Sequence, residues 1–274
     1  MENKLKPVYV DVHCHIDLYK DVGKIIEEAM KNGVGLIINN GMTPEINRKT
    51  IDISERFPNV LSAIGLYPNE CKDMSDIGIE EEISYIREKS DKIIAIGEVG
   101  IDLKENKNLG FQKEIFEKFI DLSFEIDRPL IVHSRKAEKE VIDILEKNGC
   151  KKVIMHCFCG DMKLVDRIIK NGWYLSIPAN ITNSEQFQKV VSKVPITQLF
   201  CETDSPFLHP EKDVSSKGSE YLIPELDYWD KKIEGNSPMN VVYSYKKIAE
   251  IKKISLDECR EKIFENFLRV FMGE

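Results

Sequence analysis

The stretch VYVDVHCHID (Val8–Asp17) indicates how this chain begins to fold. Its apolar, β-branched first half predicts a buried strand, because the run is too short for a helix. Its second half carries His13 and His15, and alternate residues of a strand project from the same face. Two neutral imidazoles that converge at a strand end can bind a metal ion. The alternative is that one histidine packs in the core and the other caps a turn.

The rest of the chain repeats this alternation of a short apolar run and a segment with helical spacing. Ile93–Glu98, for example, is the fourth predicted strand, and a predicted helix at about Glu80–Lys89 precedes it. Eight such units in 274 residues predict an α/β fold, a single-domain (β/α)8 TIM barrel over residues 1–274. A doubly wound open sheet is the alternative, but no G-x-G-x-x-G motif follows the first strand.

A long segment without clear periodicity follows the last predicted strand, at about residues 205–239. It contains four prolines and an aromatic cluster of Tyr221, Tyr228 and Trp229. Long irregular segments in compact domains are usually functional or mobile, and this one follows a strand end on the face where barrel enzymes carry their active sites. We interpret it as a partial lid, with a docked surface loop as the alternative.

Composition excludes several classes of protein. No apolar run approaches the length of a membrane span, and the N-terminus lacks the apolar region of a signal peptide. Seven cysteines without a disulfide-like spacing indicate reduced thiols, and hence a cytoplasmic protein. The net charge of −8 argues against a broad electrostatic grip on nucleic acid. It does not exclude a local anion site that is built from metal ions.

Polar side chains close several of the predicted strands. Four of the five histidines do so, and a carboxylate closes strands four and eight. In a TIM barrel these strand ends converge on one rim. Each residue alone has a structural explanation, such as a helix cap or an ion pair, but their joint placement is hard to explain in that way. The six candidate ligands are His13, His15, Glu98, His133, His156 and Asp204.

Four imidazoles and two carboxylates suit divalent first-row metals. Six ligands are too many for one open catalytic ion, but they suit two ions that share a carboxylate. We expect the histidines of strand one to hold one ion with Asp204, and those of strands five and six to hold the other. Glu98 is the best candidate for the bridge. Two ions about 3.5–4 Å apart can activate a water molecule, and a carboxylate such as Asp204 can take its proton.

Five motifs stand in the order that is typical of the TatD family, a branch of the amidohydrolase superfamily. The chain resembles this family from residue 8 to its final helix, through Asp11–Asp17, Ile96–Asp102, Ile131–Arg135, His156–Gly160 and Glu202–Pro206. The resemblance implies a TIM barrel with two divalent ions (Mg²⁺, Mn²⁺ or Zn²⁺), held by the same six residues. It implies a deoxyribonuclease, often acting from the 3′ end, whose partner is single-stranded or frayed DNA. Asp102, Arg135 and Glu202 fall at motif positions close to the metals, where they would contact ligands or substrate.

Two departures from the family pattern concern the substrate. The chain has Tyr67 and Asn69 where the family usually has histidines after strand three. Tyr67 could stack on a base, or it could simply pack against neighbouring side chains. The chain also lacks the arginine that the family usually has before the last helices. Hydrolysis of a small phosphoester or cyclic amide is therefore one alternative function. A partner-dependent enzyme or a non-catalytic regulatory subunit is another, and the sequence identifies no protein partner.

Overall fold

Eight parallel strands follow one another around the sheet in the order of the chain, from β1 to β8. The computed structural model describes residues 6–104, 106–211 and 235–273. The strands are Tyr9–Cys14 (β1), Val34–Asn40 (β2), Val60–Ile64 (β3), Ala95–Asp102 (β4), Leu130–Arg135 (β5), Val153–His156 (β6), Tyr174–Pro178 (β7) and Leu199–Glu202 (β8). All residues of β1 and β4 are buried, as expected for strands that are covered on both faces. The predicted TIM barrel is confirmed.

Helices connect successive strands and cover the outside of the barrel. They are Val22–Lys31 (α1), Pro44–Arg56 (α2), Asp76–Glu88 (α3), Leu109–Ile126 (α4), Glu138–Lys147 (α5), Met162–Lys170 (α6), Glu185–Lys193 (α7), Val241–Lys252 (α8) and Leu256–Phe267 (α9). Many begin at a side chain that accepts a hydrogen bond from the first turn, such as Asp21, Thr43 and Ser75. In the described ranges, no helix combines the length and the apolar character that a membrane span needs.

Polar contacts close the seam between the first and the last strand. The Asp204 amide donates to the His13 carbonyl (2.9 Å), and the His15 amide donates to the Ser205 carbonyl (2.8 Å). The carboxylate of Asp11 accepts from the amide and the hydroxyl of Thr203, at 3.0 and 2.6 Å. These contacts fix the loop after β8 against the end of β1. We refer to this region as the β1–β8 seam.

Three expectations about local structure need correction or stay open. β4 does not end at Glu98, because it continues to pair with β5 as far as Asp102. Glu98 therefore lies inside its strand rather than at its end. α3 begins at Asp76, four residues before Glu80, because Ser75 caps the helix there. Most of the predicted lid, residues 212–234 with the whole aromatic cluster, lies outside the described residues, so the lid stays a prediction.

Candidate metal centre

Glu98 lies between two groups of histidines inside the barrel. Its Oε2 atom is 3.6 Å from His13 Nε2 and 3.7 Å from His15 Nε2. Its Oε1 atom is 2.7 Å from His133 Nδ1 and 3.1 Å from His156 Nε2. The carboxylate is buried and presents one oxygen to each group. Glu98 therefore contacts both histidine groups at the same time, each with a different oxygen.

The first group consists of His13, His15 and Asp204, and it spans the β1–β8 seam. Asp204 Oδ1 lies 3.6 Å from His13 Nε2 and 3.5 Å from His15 Nε2. His15 Nδ1 is 2.9 Å from the carbonyl oxygen of Asn40. Because a carbonyl only accepts, Nδ1 carries a proton, and Nε2 is the nitrogen that can bind a cation. The three ligand atoms lie within 4.8 Å of one another, so one ion could contact all of them.

The second group consists of His133, His156 and the other oxygen of Glu98, and it is equally compact. His156 turns Nε2 toward Glu98 and Nδ1 toward Glu202, whose Oε1 is 3.4 Å away. The hydroxyl of Ser176 donates to the other oxygen of Glu202. A carboxylate behind a histidine fixes the ring and makes its free nitrogen a better ligand. Glu202 is thus placed to orient His156.

Three further predicted residues meet beside the second group. Asp102 Oδ2 is 3.4 Å from His133 Nε2 and accepts a hydrogen bond of 2.8 Å from the hydroxyl of Tyr67. The guanidinium of Arg135 lies 3.9 Å from the same oxygen and is largely exposed. Gly100 makes this packing possible, because any side chain there would collide with the backbone of His133. The ten candidate site residues that the sequence predicts, namely the six ligands with Tyr67, Asp102, Arg135 and Glu202, therefore lie in or beside one site.

Burial and opposite charges act against each other in this site. Burial alone would raise the pKa of Glu98, but the charge of His156 and the close contacts with His13 and His133 lower it well below its usual value. Burial would lower the pKa of His15, but the hydrogen bond to Asp204 and the charge of Glu98 raise it to about 9. Glu98 is therefore ionised, and its charge attracts positive charge between the two histidine groups.

The unsatisfied atoms of the site test whether a cation fits. Both ring nitrogens of His13 are buried and have no hydrogen-bond partner among the described residues. A buried polar atom without a partner costs about 1–3 kcal/mol. A divalent cation at Nε2 would remove this cost for that atom. It would also neutralise the negative charges of the nearby Glu98 and Asp204. The residues present thus fit a divalent metal, with imidazole and carboxylate ligands as zinc and manganese prefer.

Comparison with known families agrees with this geometry. The model of the family described as TatD related DNase matches residues 10–272. The chain belongs to the TatD family. It is thus a member of a family of metal-dependent hydrolases, and its His, Glu and Asp clusters can hold metal ions.

Relatives of this TatD chain match over nearly its whole length. A metal-dependent hydrolase of Methanocaldococcus jannaschii is 31% identical over 266 residues, which cover 96% of both chains. The human deoxyribonuclease TATDN3 is 31% identical over 277 residues, which cover 96% of this chain and 94% of that protein. The crystal structure of the Escherichia coli TatD homologue YjjV shares the fold, with a TM-score of 0.83 at 22% identity over 96% and 98% of the two chains.

Several residues of this TatD site were not found from the sequence. The carbonyl of Asn40 holds His15, but a backbone atom leaves no signal in a sequence. Ser176 supports Glu202, and its signal was a lone hydroxyl in the apolar run of β7. Phe207 places its ring 6.1 Å from that of His15, and only its position shortly after Asp204 indicated the site. The roles of all these residues, and of the six candidate ligands, stay predictions.

Proposed function

We propose that this TatD protein hydrolyses phosphodiester bonds in DNA with two divalent ions, in the manner of a 3′–5′ exonuclease. The observation that carries the proposal is the position of Glu98, whose two oxygens face different histidine groups. One divalent ion would be held by His13, His15 and Asp204 and a second by His133 and His156, with Glu98 available to both. Bound there, two divalent ions would supply an activated water and stabilise the attacking and leaving oxygens.

A carboxylate of the protein would accept the proton that the attacking water loses in this reaction. The side chain of Asp204 is 17% exposed, whereas that of Glu98 is 4% exposed, so Asp204 is the carboxylate that water reaches more easily. Burial opposes ionisation of Asp204, but its hydrogen bond with His15 and the charges of the histidines lower its pKa. The ionised carboxylate can accept a proton from the attacking water. Glu98 stays fixed and ionised between the two groups.

Cationic side chains on the rim of the barrel are a reason to expect a polyanionic substrate. Lys104 and Lys136 are exposed in the loops after β4 and β5, and Arg135 lies beside them. The Leu103 amide donates to the Arg135 carbonyl (2.8 Å), which holds the two loops together. Within the described ranges, neither lysine has a carboxylate at ion-pair distance. On a chain with net charge −8, this local excess of positive charge suits the phosphates of a strand that enters the site.

The name of one relative also supports DNA as the substrate, because the human relative is a deoxyribonuclease. Single-stranded or frayed ends would enter a barrel mouth more easily than an intact duplex. The free thiols of the cysteines agree with the cytoplasmic location that we propose.

The test is reconstitution of the metal-free protein with Mg²⁺, Mn²⁺ or Zn²⁺, followed by incubation with 3′- and 5′-labelled oligonucleotides. We expect stepwise shortening from the 3′ end, with no shortening by the metal-free protein or by Glu98→Gln. Cleavage by Glu98→Gln at the wild-type rate would refute the proposal. Absence of cleavage with all three metals would favour a partner-dependent or regulatory role.

Hydrolysis of a small phosphoester is the second candidate. It is favoured by Tyr67 and Asn69, which replace two histidines that could hydrogen-bond a phosphate on the rim. The same preparation would be incubated with bis(p-nitrophenyl) phosphate and with simple phosphomonoesters. Turnover of these compounds without cleavage of any oligonucleotide would select this candidate.

A further inference from the structure

Tyr67 is tied to the candidate metal centre by its hydroxyl group. It follows β3 and is half-buried, and its hydroxyl donates to Asp102 Oδ2 at 2.8 Å. Its ring lies 4.9 Å from the ring of His133 at an interplanar angle of 71°, an edge-to-face contact. The ring also packs against a small apolar cluster that includes Leu18 and Met42. The tyrosine is thus fixed at both its hydroxyl and its ring.

Asp102, the partner of that hydroxyl, is held on all sides. The residue is fully buried. Its backbone amide donates to the side-chain oxygen of Gln112 (2.7 Å), and the amide nitrogen of Gln112 donates to its carbonyl (3.1 Å). Its Oδ1 atom accepts from the Lys104 amide (2.8 Å). The remaining oxygen, Oδ2, is the atom that faces both Tyr67 and His133.

His133 uses its two ring nitrogens in opposite directions. Nδ1 lies 2.7 Å from Glu98 Oε1, inside the second ligand group. Nε2 points away from that group and lies 3.4 Å from Asp102 Oδ2. A carboxylate that faces the outer nitrogen of a ligating histidine fixes both its tautomer and its orientation. His133 thus directs Nδ1 toward the second ligand group and has the carboxylate of Asp102 beside its outer nitrogen.

We infer that Tyr67 is a positioning residue for the second metal ion, acting through Asp102 on His133. The hydroxyl holds Asp102 Oδ2 at the place where it can accept from His133 Nε2. The same hydrogen bond leaves the ring edge-on to His133 and packed against the apolar cluster, so the ring is poorly placed to stack on a base. This inference rests on the metal centre of the proposed function, but not on DNA as the substrate.

Tyr67→Phe removes the hydroxyl and keeps the ring, so it isolates the inferred role. Loss of a partner behind a metal ligand typically lowers metal affinity about 10–100-fold. We expect a two-site Mn²⁺ titration, followed by calorimetry, to show about this loss at one site. The other site, which has His13, His15 and Asp204, should keep its wild-type affinity. The titration needs no substrate, so it stays informative even if the protein does not cleave DNA.

Two further variants separate positioning from general damage. Tyr245→Phe also removes a buried tyrosine hydroxyl, one that hydrogen-bonds the backbone of Val10 at 3.0 and 3.2 Å, and it should leave both affinities unchanged. Asp102→Asn should weaken the same site as Tyr67→Phe. The double variant should lose less than the product of the two single losses, because both changes interrupt one chain of contacts.

A spectroscopic readout tests the geometry directly. In the Zn²⁺-loaded protein with ¹⁵N-labelled histidine, we expect His133 to show a metal-bound Nδ1 and a protonated Nε2, with assignment from His133→Gln. In Tyr67→Phe, the Nε2 proton should exchange faster with water. Metal bound at Nε2 of His133 would overturn the inference. Unchanged metal affinities in Tyr67→Phe would overturn the inference, and a raised KM for oligonucleotides in Tyr67→Ala but not in Tyr67→Phe would favour base stacking instead.

Discussion

Metal binding at this centre should release protons, because neighbouring carboxylates raise the pKa of three of its four histidines in the metal-free protein. The pKa of His15 is raised to about 9 by Asp204 and Glu98, which outweigh the opposing effect of burial. A group with that pKa is ~99% protonated at pH 7. A metal ion binds only the neutral imidazole, so His15 alone must release one proton. Removing it at pH 7 costs about 2.7 kcal/mol, from two pKa units at 1.36 kcal/mol each.

The other histidines add to this release to different extents. Burial would lower the pKa of both His133 and His156, but Glu98 and the carboxylates behind each ring raise it. Burial and the charge of His156 lower the pKa of His13, which therefore contributes no proton. We expect the release of about one to three protons per protein at pH 7, and apparent metal affinity should rise about tenfold per pH unit for each proton released.

Isothermal titration calorimetry in buffers with different ionisation enthalpies measures the number of protons. The observed binding enthalpy should depend linearly on the ionisation enthalpy of the buffer, with a slope equal to that number. His15→Gln should reduce the slope by about one if it still binds metal at its second site. A slope of zero for the wild-type protein would refute the reasoning, because it would mean that the histidines are neutral before the metal binds.

Three other predictions concern stability and substrate binding. The pKa of His15 is raised in the folded protein, so the stabilising effect of this residue is complete below pH 6.5 and is lost as pH rises through about 9. The metal-free protein should therefore melt at a lower temperature at pH 9.5 than at pH 6.5, as circular dichroism would show. Lys104→Glu with Lys136→Glu should raise KM for oligonucleotides and leave turnover of bis(p-nitrophenyl) phosphate unchanged. The slope of log K for binding against the logarithm of the salt concentration should fall in magnitude by about 1.4, from about 0.7 for each of two lost phosphate contacts. Phe116→Ala, at a side chain with 1% exposure, should cost about 3–5 kcal/mol in urea unfolding, and a loss below 1 kcal/mol would contradict the packing described.

The barrel was predictable because its strands are apolar runs with polar ends. His13, His133 and His156 close or nearly close such runs, and parallel strands bring their ends together whatever the details of packing. The position of Glu98 was less predictable. Its strand continues for four more residues through Asp102, and this extension depends on pairing with β5, which periodicity cannot indicate.

The contacts behind the ligands could not be predicted for a different reason. The bond between Tyr67 and Asp102 joins residues that are 35 positions apart, and the contact between Ser176 and Glu202 joins residues 26 apart. Such pairs depend on the register of strands and on the path of the loops between them. The sequence pattern shows that polar atoms reach the mouth of the barrel, but it does not show which nitrogen of a histidine faces which carboxylate.

The β1–β8 seam also has a consequence for the folding pathway. The contact between Asp11 and Thr203 joins residues 192 positions apart, so its entropic cost of loop closure is among the largest in the fold. Contacts of this separation form late, after neighbouring strands have paired. The first ligand group lies across the same seam, and its ligands are brought together only when the barrel closes. A metal ion that binds there would bind the closed barrel and not the unfolded chain. It would therefore stabilise the closed β1–β8 seam against opening.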